Sequence, residues 1–150
     1  MVAESLHGLV LVTGPSRGGK SRWAEHLVSQ HSPVSYVATS DPRPDDSEWQ
    51  ERLRLHSERR PSDWQVIESG ADLSKALRTI PGDHTILVDA LGAFTAWHLE
   101  ASAVDWTQLQ TDLIKTLQER HRPVVLVIEE TGWGVVPSTA IGGRFRDRQG

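Results

Sequence analysis

The sequence predicts an α/β fold, in which a mostly parallel sheet carries helices on both faces. Strand-like and helix-like segments alternate along the chain, an order typical of α/β domains. Several strand-like segments are apolar throughout instead of alternating between apolar and polar residues, so both of their faces are expected to be buried. With 150 residues, of which 37% are hydrophobic and 24% charged, the chain is expected to form one domain over residues 1–150.

Five segments have the composition of strands. Branched apolar residues are frequent in each of them, and the last segment is the most apolar. The fourth segment is a continuous apolar run that ends in a carboxylate, Asp89. We expect strands at residues 9–13, 34–39, 64–68, 85–89 and 124–128.

The segments between the strands carry apolar residues at helical spacing. Proline cannot continue a helix, so Pro33 and Pro61 are expected to follow the ends of the first two helices. Residues 1–6 are expected to be a loose lead-in. We expect helices from the end of the first loop to about residue 30, at residues 47–60, 72–80, 90–100 and 106–121, and again just before residue 150.

The loop after the first strand matches the pattern G-x-x-x-x-G-K-S/T and reads Gly14-Pro15-Ser16-Arg17-Gly18-Gly19-Lys20-Ser21. In such a loop, backbone N–H groups point at phosphate oxygens, the lysine reaches the β- and γ-phosphates, and the serine hydroxyl ligates Mg²⁺. A glycine-rich turn could match by accident, but the strand before it and the helix after it favour nucleotide binding. We therefore expect Lys20 to act in catalysis and Ser21 to be a metal ligand.

Five carboxylates are expected on the same edge of the sheet as this loop, because ligands of open α/β sheets bind where the parallel strands end. Asp89 has the form of a second Mg²⁺ ligand, since an apolar strand delivers it beside the phosphate loop. Glu129 and Glu130 compete for that role because they follow an equally apolar strand, and a carboxylate at such a position can also simply cap the next helix. The five are Asp41, Glu68, Asp89, Glu129 and Glu130.

His56 lies on the apolar face of its predicted helix. A lone histidine on such a face is more often a packing residue than a reactive one. Three nearby arginines, Arg52, Arg59 and Arg60, would hold anionic phosphate beside the imidazole, although they could equally form a solvated face. A neutral imidazole nitrogen is a competent nucleophile toward an activated phosphorus, so covalent catalysis at His56 is the functional alternative.

Composition narrows the classes of function. There are no cysteines, which excludes disulfides, thiolate metal sites and a cysteine nucleophile. A net charge of -4 gives no general signal for nucleic acid or membrane surfaces, so neither is expected as a partner. The longest apolar run near the N-terminus is too short for a signal peptide or a transmembrane span, and a cytoplasmic location is the default expectation.

Several longer segments resemble one enzyme family. They are residues 36–40, 52–64, 86–89 and 129–137, followed by Phe145, Arg146 and Asp147. The pattern His-x-x-x-Arg-Pro-x-x-Trp in the second segment and the pattern Glu-x-Gly-x-Gly-x-x-Pro in the last one are far more specific than the phosphate loop. From Leu9 onward, the chain resembles the bifunctional adenosylcobinamide kinase / adenosylcobinamide-phosphate guanylyltransferase of cobalamin biosynthesis.

The resemblance implies a RecA-like P-loop NTPase fold, a homo-oligomer that is usually a trimer, and two reactions. In the first, ATP or GTP phosphorylates the aminopropanol hydroxyl of adenosylcobinamide. In the second, GTP guanylylates a histidine, which matches His56, and the GMP passes to adenosylcobinamide phosphate. The same resemblance implies Mg²⁺ on Ser21 and Asp89, and a nucleotide site formed by residues 14–21 with Thr39, Ser40, Asp41, Ser57, Glu58, Arg59, Arg60, Glu68 and Asp89.

Two departures from the family pattern bear on these expectations. After the aspartate the family usually has Cys-Leu-Thr and an Asn a few residues later, whereas this chain has Ala90-Leu91-Gly92, which puts the kinase half more in question than the guanylyl half. The family also typically continues past the position of Gly150 and adds a strand. Either the sequence is a piece of a longer chain, truncated relative to the family, or its sheet lacks the C-terminal strand and exposes an apolar edge.

Two alternatives to this family function are open at this point. One is a different P-loop small-molecule kinase, in which His56 only packs against its neighbours. The other is a catalytically silent nucleotide-binding protein that acts through oligomer contacts.

Overall fold

The computed structural model describes residues 5–15, 17–131 and 139–150. Within these residues, the strands are β1 (Leu9–Gly14), β2 (Val34–Ala38), β3 (Gln65–Glu68), β4 (Thr85–Asp89) and β5 (Val124–Glu129). They form one sheet in the order β1-β5-β4-β2-β3, and every neighbouring pair is parallel. All five predicted strands and the parallel sheet are therefore confirmed.

The helices of the described residues are α1 (Lys20–Ser29), α2 (Ser47–Arg59), α3 (Leu73–Thr79), α4 (Leu91–Trp97), α5 (Ala103–Gln118) and α6 (Ala140–Gln149). The predicted helices are confirmed, but α4 is shorter than predicted, and α5 keeps its predicted length of 16 residues while lying three residues earlier in the chain. α5 begins before residue 106 because the Ser102 hydroxyl accepts a hydrogen bond from Asp105 N (3.1 Å) and caps the helix there. α4 ends at Trp97 because His98 leaves the helical conformation. None of these helices is both long and apolar enough to cross a membrane.

The sheet is buried on both faces, as its apolar strands predict. On one face, Ile86 and Val88 of β4 pack with Leu126 of β5 against α3, α4 and α5. On the other face, Leu87 of β4 and Val125 of β5 pack against α1. All five side chains are at most 3% exposed, so β4 and β5 form the centre of the fold.

β1 lies at an edge of the sheet and leads into the phosphate loop. Within the described residues its backbone pairs only with β5, and the side chains of Leu9 and Leu11 are 51% and 57% exposed. This arrangement agrees with the expectation of an apolar edge. The pairing places Gly14 opposite Glu129, so the phosphate loop begins where β5 ends.

Candidate functional site

The phosphate loop leaves β1 at Gly14 and enters α1 at Lys20. A hydrogen bond from Gly18 N to Pro15 O (3.0 Å) closes its turn. Glycine is required at two positions, because a Cβ on Gly18 would lie 2.9 Å from Pro15 O and Gly19 has a φ of +80°. Lys20 Nζ donates to Pro15 O (2.8 Å), so its ammonium lies over the loop. The predicted contact of Ser16 falls outside the described residues.

Asp89 is the last residue of β4 and lies at the carboxyl ends of the strands, where the phosphate loop also begins. Its Oδ2 accepts a hydrogen bond from the Tyr36 hydroxyl (2.8 Å), and the Arg60 guanidinium lies 4.2 Å from the centre of the Tyr36 ring. Burial raises the pKa of Tyr36, and the negative charge of Asp89 raises it further, so the phenol keeps its proton and donates a hydrogen bond to the carboxylate. Tyr36 therefore fixes the orientation of Asp89.

Thr39 is fully buried beside the chain turn that follows β4. Its hydroxyl donates to Ala90 O (2.6 Å) and accepts from Ala90 N (2.8 Å), while its carbonyl accepts from Trp97 Nε1 (2.8 Å). The nucleotide contact that the resemblance implies at Thr39 stays a prediction. In this structure Thr39 fixes the turn that presents Asp89.

His56 lies half-buried on α2, with Nδ1 3.4 Å from Nη2 of Arg59. A guanidinium can only donate, so Nδ1 accepts and the proton of the neutral ring is on Nε2. Burial and the cation of Arg59 hold the pKa of His56 below its usual value. The carboxylates of Asp89 and Glu25 act in the opposite direction, so both lie within electrostatic range of the ring. The imidazole is therefore neutral near pH 7 and carries the lone pair that a nucleophile needs.

Glu25 of α1 holds Arg59 by two hydrogen bonds, from Nε to Oε2 (2.8 Å) and from Nη2 to Oε1 (2.9 Å). Two parallel bonds between a guanidinium and a carboxylate fix both groups in one geometry. Glu25 is only 8% exposed, so water competes little for the contact. Because α1 starts at the phosphate loop, this ion pair ties the helix of His56 to the helix that follows the loop.

A cavity of about 480 Å³ opens beside His56. Arg22 of α1 lines it from one side, and Arg52 and Arg59 of α2 line it from the other. Guanidinium groups suit forked contacts to phosphate oxygens. The imidazole therefore lies at the wall of a cavity whose charge fits the phosphates of a nucleotide.

Asp89 and Glu129 are both predicted as candidate ligands of Mg²⁺, and their surroundings differ. Glu129 Oε2 accepts from Gly92 N (2.9 Å), and burial raises the pKa of Glu129, which disfavours its charged form. Asp89 lies at the rim, oriented by Tyr36. Among the described residues, no group of three or more His, Cys, Asp or Glu side chains is arranged to hold a metal. Mg²⁺ in nucleotide sites takes only one or two carboxylates beside phosphate and water oxygens, so Asp89 with Ser21 fits its chemistry.

The other residues that the resemblance assigned to the nucleotide lie at the margin of this centre. Glu58 lines the cavity beside His56 but also pairs with Arg54 on the outer face of α2. Glu68 ends β3, the strand farthest from β1 in the sheet. Ser40 is half-buried, and the exposed ones are Asp41, Ser57, Glu58 and Glu68.

Glu25 and Tyr36 belong to the site although the sequence analysis gave neither of them a role. The signal for Glu25 is its place on α1 between Ala24 and Val28, which are both fully buried, so its carboxylate faces inward and needs a partner. The signal for Tyr36 is a phenol in the middle of a buried strand, because a buried hydroxyl usually finds a hydrogen-bond partner.

Comparison with known proteins shows the family of the chain. A family model described as cobinamide kinase / cobinamide phosphate guanyltransferase matches residues 10–150. The chain belongs to this family. It is 30% identical to the bifunctional adenosylcobalamin biosynthesis protein CobU of Escherichia coli, over 95% of this chain and 86% of that protein. It is 34% identical to the bifunctional adenosylcobalamin biosynthesis protein CobP of Pseudomonas aeruginosa, over 93% of this chain and 82% of that protein.

Family membership confirms that the chain is a kinase and guanylyltransferase. A crystal structure of the RadB recombinase is similar in fold, with a TM-score of 0.51 and 14% identity, over 93% of this chain and 73% of that chain. At that identity the likeness concerns the fold alone, and it confirms the predicted P-loop NTPase fold.

Proposed function

We propose that the chain phosphorylates adenosylcobinamide with ATP or GTP and then transfers GMP from GTP, through a guanylylated His56, to adenosylcobinamide phosphate, giving adenosylcobinamide-GDP. One observation carries the proposal. The neutral imidazole of His56 lies against Arg59, at the wall of an arginine-lined cavity that reaches the phosphate-loop helix. A packing histidine has no need of these cationic neighbours.

In the guanylyl step, Nδ1 of His56, which carries the lone pair of the neutral ring, attacks the α-phosphorus of GTP as Arg59 passes from the ring to the phosphate oxygens. The nitrogen–phosphorus bond forms while the bond from the α-phosphorus to the bridging oxygen breaks, and pyrophosphate leaves. Arg59 stabilises the negative charge on the phosphate oxygens, and the carboxylates of Asp89 and Glu25 stabilise the positive charge that the ring acquires. The phosphate of adenosylcobinamide phosphate then displaces the histidine, which returns to its neutral form.

In the kinase step, the phosphate loop and Lys20 hold the triphosphate while the substrate hydroxyl attacks the γ-phosphorus. Ser21 and Asp89 are the residues that would hold Mg²⁺, which neutralises phosphate charge when it is bound. One loop therefore serves both steps, and the steps differ in which phosphorus faces the attacking group.

The test is incubation with GTP labelled at the α-phosphate. The wild-type protein is expected to acquire an acid-labile, base-stable label, as a phosphoramidate does, and His56→Ala is expected to acquire none. His121→Ala is the matched control, since His121 is exposed just before β5, at the edge of the sheet opposite the loop, and should keep the label.

Other outcomes point to the alternatives. Label that persists in His56→Ala overturns the role of His56. Corrinoid-dependent ATP consumption without any label supports a kinase alone. Nucleotide binding with neither activity supports a catalytically silent protein.

We also propose that the chain forms a homo-oligomer, a trimer by the family resemblance, and works in the cytoplasm, where nucleoside triphosphates are available. Light scattering after size-exclusion chromatography measures the mass directly. The mass of three chains supports the trimer, and the mass of one chain contradicts it.

A further inference from the structure

Glu129 is a carboxylate at the rim of the sheet that the steps above do not use. It ends β5 directly opposite Gly14, the first residue of the phosphate loop. Its Oε2 accepts hydrogen bonds from Gly92 N (2.9 Å) and from Gln149 Nε2 (3.5 Å). Gln149 Oε1 in turn accepts from the Thr95 hydroxyl (2.7 Å). The carboxylate of Glu129 therefore accepts hydrogen bonds from one residue of α4 and one residue of α6.

The carboxylate of Glu129 occupies space that a side chain at position 92 would fill. A Cβ on Gly92 would lie 2.7 Å from Glu129 Cδ and closer still to Oε2, so no side chain fits there while Glu129 keeps this position. The family usually has a threonine at this position, as described above. In this chain, a carboxylate that reaches across from β5 occupies the space beside position 92 instead.

The charges around Glu129 suit a proton acceptor beside a bound phosphate. Burial raises the pKa of Glu129, and hydrogen bonds from the backbone N–H groups of Glu129 and Gly92 lower it in part. The charge of Asp89 raises it and that of Lys20 lowers it, so both charged groups of the phosphate site lie within electrostatic range. A cavity of about 590 Å³ opens along the carboxylate toward α6, which contributes Arg146 and Asp147 to its wall. A carboxylate with a raised pKa is a stronger base than an ordinary one, and the cavity gives a substrate group access to it.

We propose that Glu129 accepts the proton of the substrate hydroxyl in the kinase step, with the hydroxyl arm of the corrinoid entering through this cavity. This inference rests on the proposed function. The O–H bond of the substrate breaks, and its proton passes to the carboxylate. The substrate oxygen bonds to the γ-phosphorus, and the bond from that phosphorus to the bridging oxygen breaks, so that the nucleoside diphosphate leaves. The guanylyl step needs no such base, because its nucleophile is a neutral imidazole.

The first test is Glu129→Gln, which keeps the size of the side chain and an oxygen that accepts from Gly92 N but cannot take up a proton. Corrinoid-dependent release of nucleoside diphosphate is expected to show a kcat lower by about 100-fold or more. The fall of kcat toward acid pH, which in the wild type follows protonation of Glu129, is expected to disappear. Labelling of His56 by GTP is expected to persist. Glu119→Gln, an exposed carboxylate just after α5, is the matched control and keeps both activities.

The second test uses position 92. Gly92→Thr displaces the carboxylate and is expected to slow the kinase step as Glu129→Gln does. The double variant Gly92→Thr/Glu129→Ala supplies the family hydroxyl without a carboxylate. It is expected to stay slow, because a hydroxyl takes up no proton at neutral pH. Recovery of the kinase rate in the double variant overturns the inference, since the group at this place would then only orient the substrate.

Failure of this inference differs from failure of the proposed function. If the wild type shows neither label nor corrinoid-dependent phosphorylation, the proposed function itself is wrong. If the wild type shows both, but Glu129→Gln keeps a normal kinase rate with its acid limb, only the role of Glu129 is wrong. If Glu129→Gln loses both activities together and needs more Mg²⁺, Glu129 is a metal ligand and the inference is overturned.

Discussion

The two helices that flank the nucleotide site, α1 and α2, are attached to the molecule in different ways. In α1, which follows the phosphate loop, Ala24 and Val28 are fully buried against the sheet. In α2, which carries His56, no residue is buried, and the helix is held by polar contacts such as the ion pair between Arg59 and Glu25. The packing that folds the domain thus fixes the phosphate loop, whereas a few polar contacts position His56. Stability and guanylyl transfer should therefore respond to different substitutions.

The largest effect on stability is expected from α1. Val28→Ala removes two methyl groups from a fully buried side chain and is expected to lower the free energy of unfolding by about 2 kcal/mol. Leu55→Ala in α2 removes a larger side chain that is 51% exposed, and its cost is expected to stay within about 0.5 kcal/mol. Urea unfolding at unchanged m-value measures both. Equal losses of stability in the two variants would show that packing does not hold α1 more firmly than α2.

The ion pair between Glu25 and Arg59 joins the two helices, and removing it is expected to have an intermediate effect. Glu25→Ala, Arg59→Ala and the double variant form a cycle, in which we expect a coupling energy of about 1 kcal/mol. The rate of labelling of His56 by GTP should fall by more than this loss of stability explains, because Arg59 also contacts the ring. If the stability losses of the two single variants add up to that of the double variant, the ion pair does not stabilise the attachment of α2.

The pH dependence of labelling is expected to shift more modestly. The pKa of His56 is lowered by burial and by Arg59, so the neutral nucleophile persists to lower pH than it would at the usual value of about 6.5. Arg59→Gln removes the cation and is expected to move the acid limb of the initial labelling rate to higher pH. An acid limb that stays in place would show that Arg59 does not tune the ring.

The same pKa shift of His56 sets the sign of its contribution to stability. Below the pKa of the unfolded chain, the unfolded state binds the proton more readily than the folded state does. The stability that comes from a neutral His56 is therefore present at neutral pH, begins to be lost as the pH falls below about 6.5, and is fully lost below the lower pKa of the folded state. Urea midpoints of the wild type and of His56→Gln, compared between pH 8 and pH 5, measure this difference.

The smallest effect is expected on the outer face of α2. Arg54 Nε donates to Glu51 Oε2 (2.9 Å), and the guanidinium also pairs with Glu58, but all three side chains are more than half exposed. Arg54→Ala is expected to leave the free energy of unfolding nearly unchanged, because water and salt screen these exposed pairs, and any effect should shrink further in high salt. A loss larger than that of Val28→Ala would mean that polar surface contacts hold α2 more firmly than packing holds α1.

Most of the fold could be predicted because its strands are apolar on both faces and its turns carry proline. Pro33, for example, separates the end of α1 at Ser29 from the start of β2 at Val34. α5 starts earlier than its apolar spacing predicts, because Ser102 caps it. Its spacing to Asp105 is that of a capping pair, which is a signal the sequence does contain.

The site was predictable only where its chemistry lies in a short stretch of sequence. The phosphate loop is one such stretch, and the segment around His56 is another. The contact between Glu25 and Arg59 joins residues 34 positions apart, and the contact between Thr39 and Ala90 joins residues 51 positions apart. Such pairs depend on which helix packs on which, and on β2 lying beside β4, and no local pattern specifies that order.

The edge position of β1 offers a way to observe nucleotide binding directly. Within the described residues this strand is paired on one side only, so its amide hydrogens should exchange through local opening sooner than those of β4 and β5. β1 continues into the phosphate loop, and a ligand on that loop favours the closed form by mass action. Deuterium uptake by residues 9–14 should therefore slow when a nucleotide binds, while uptake by β4 stays slow throughout. The deuterium uptake of β1 therefore reports whether a nucleotide occupies the phosphate loop.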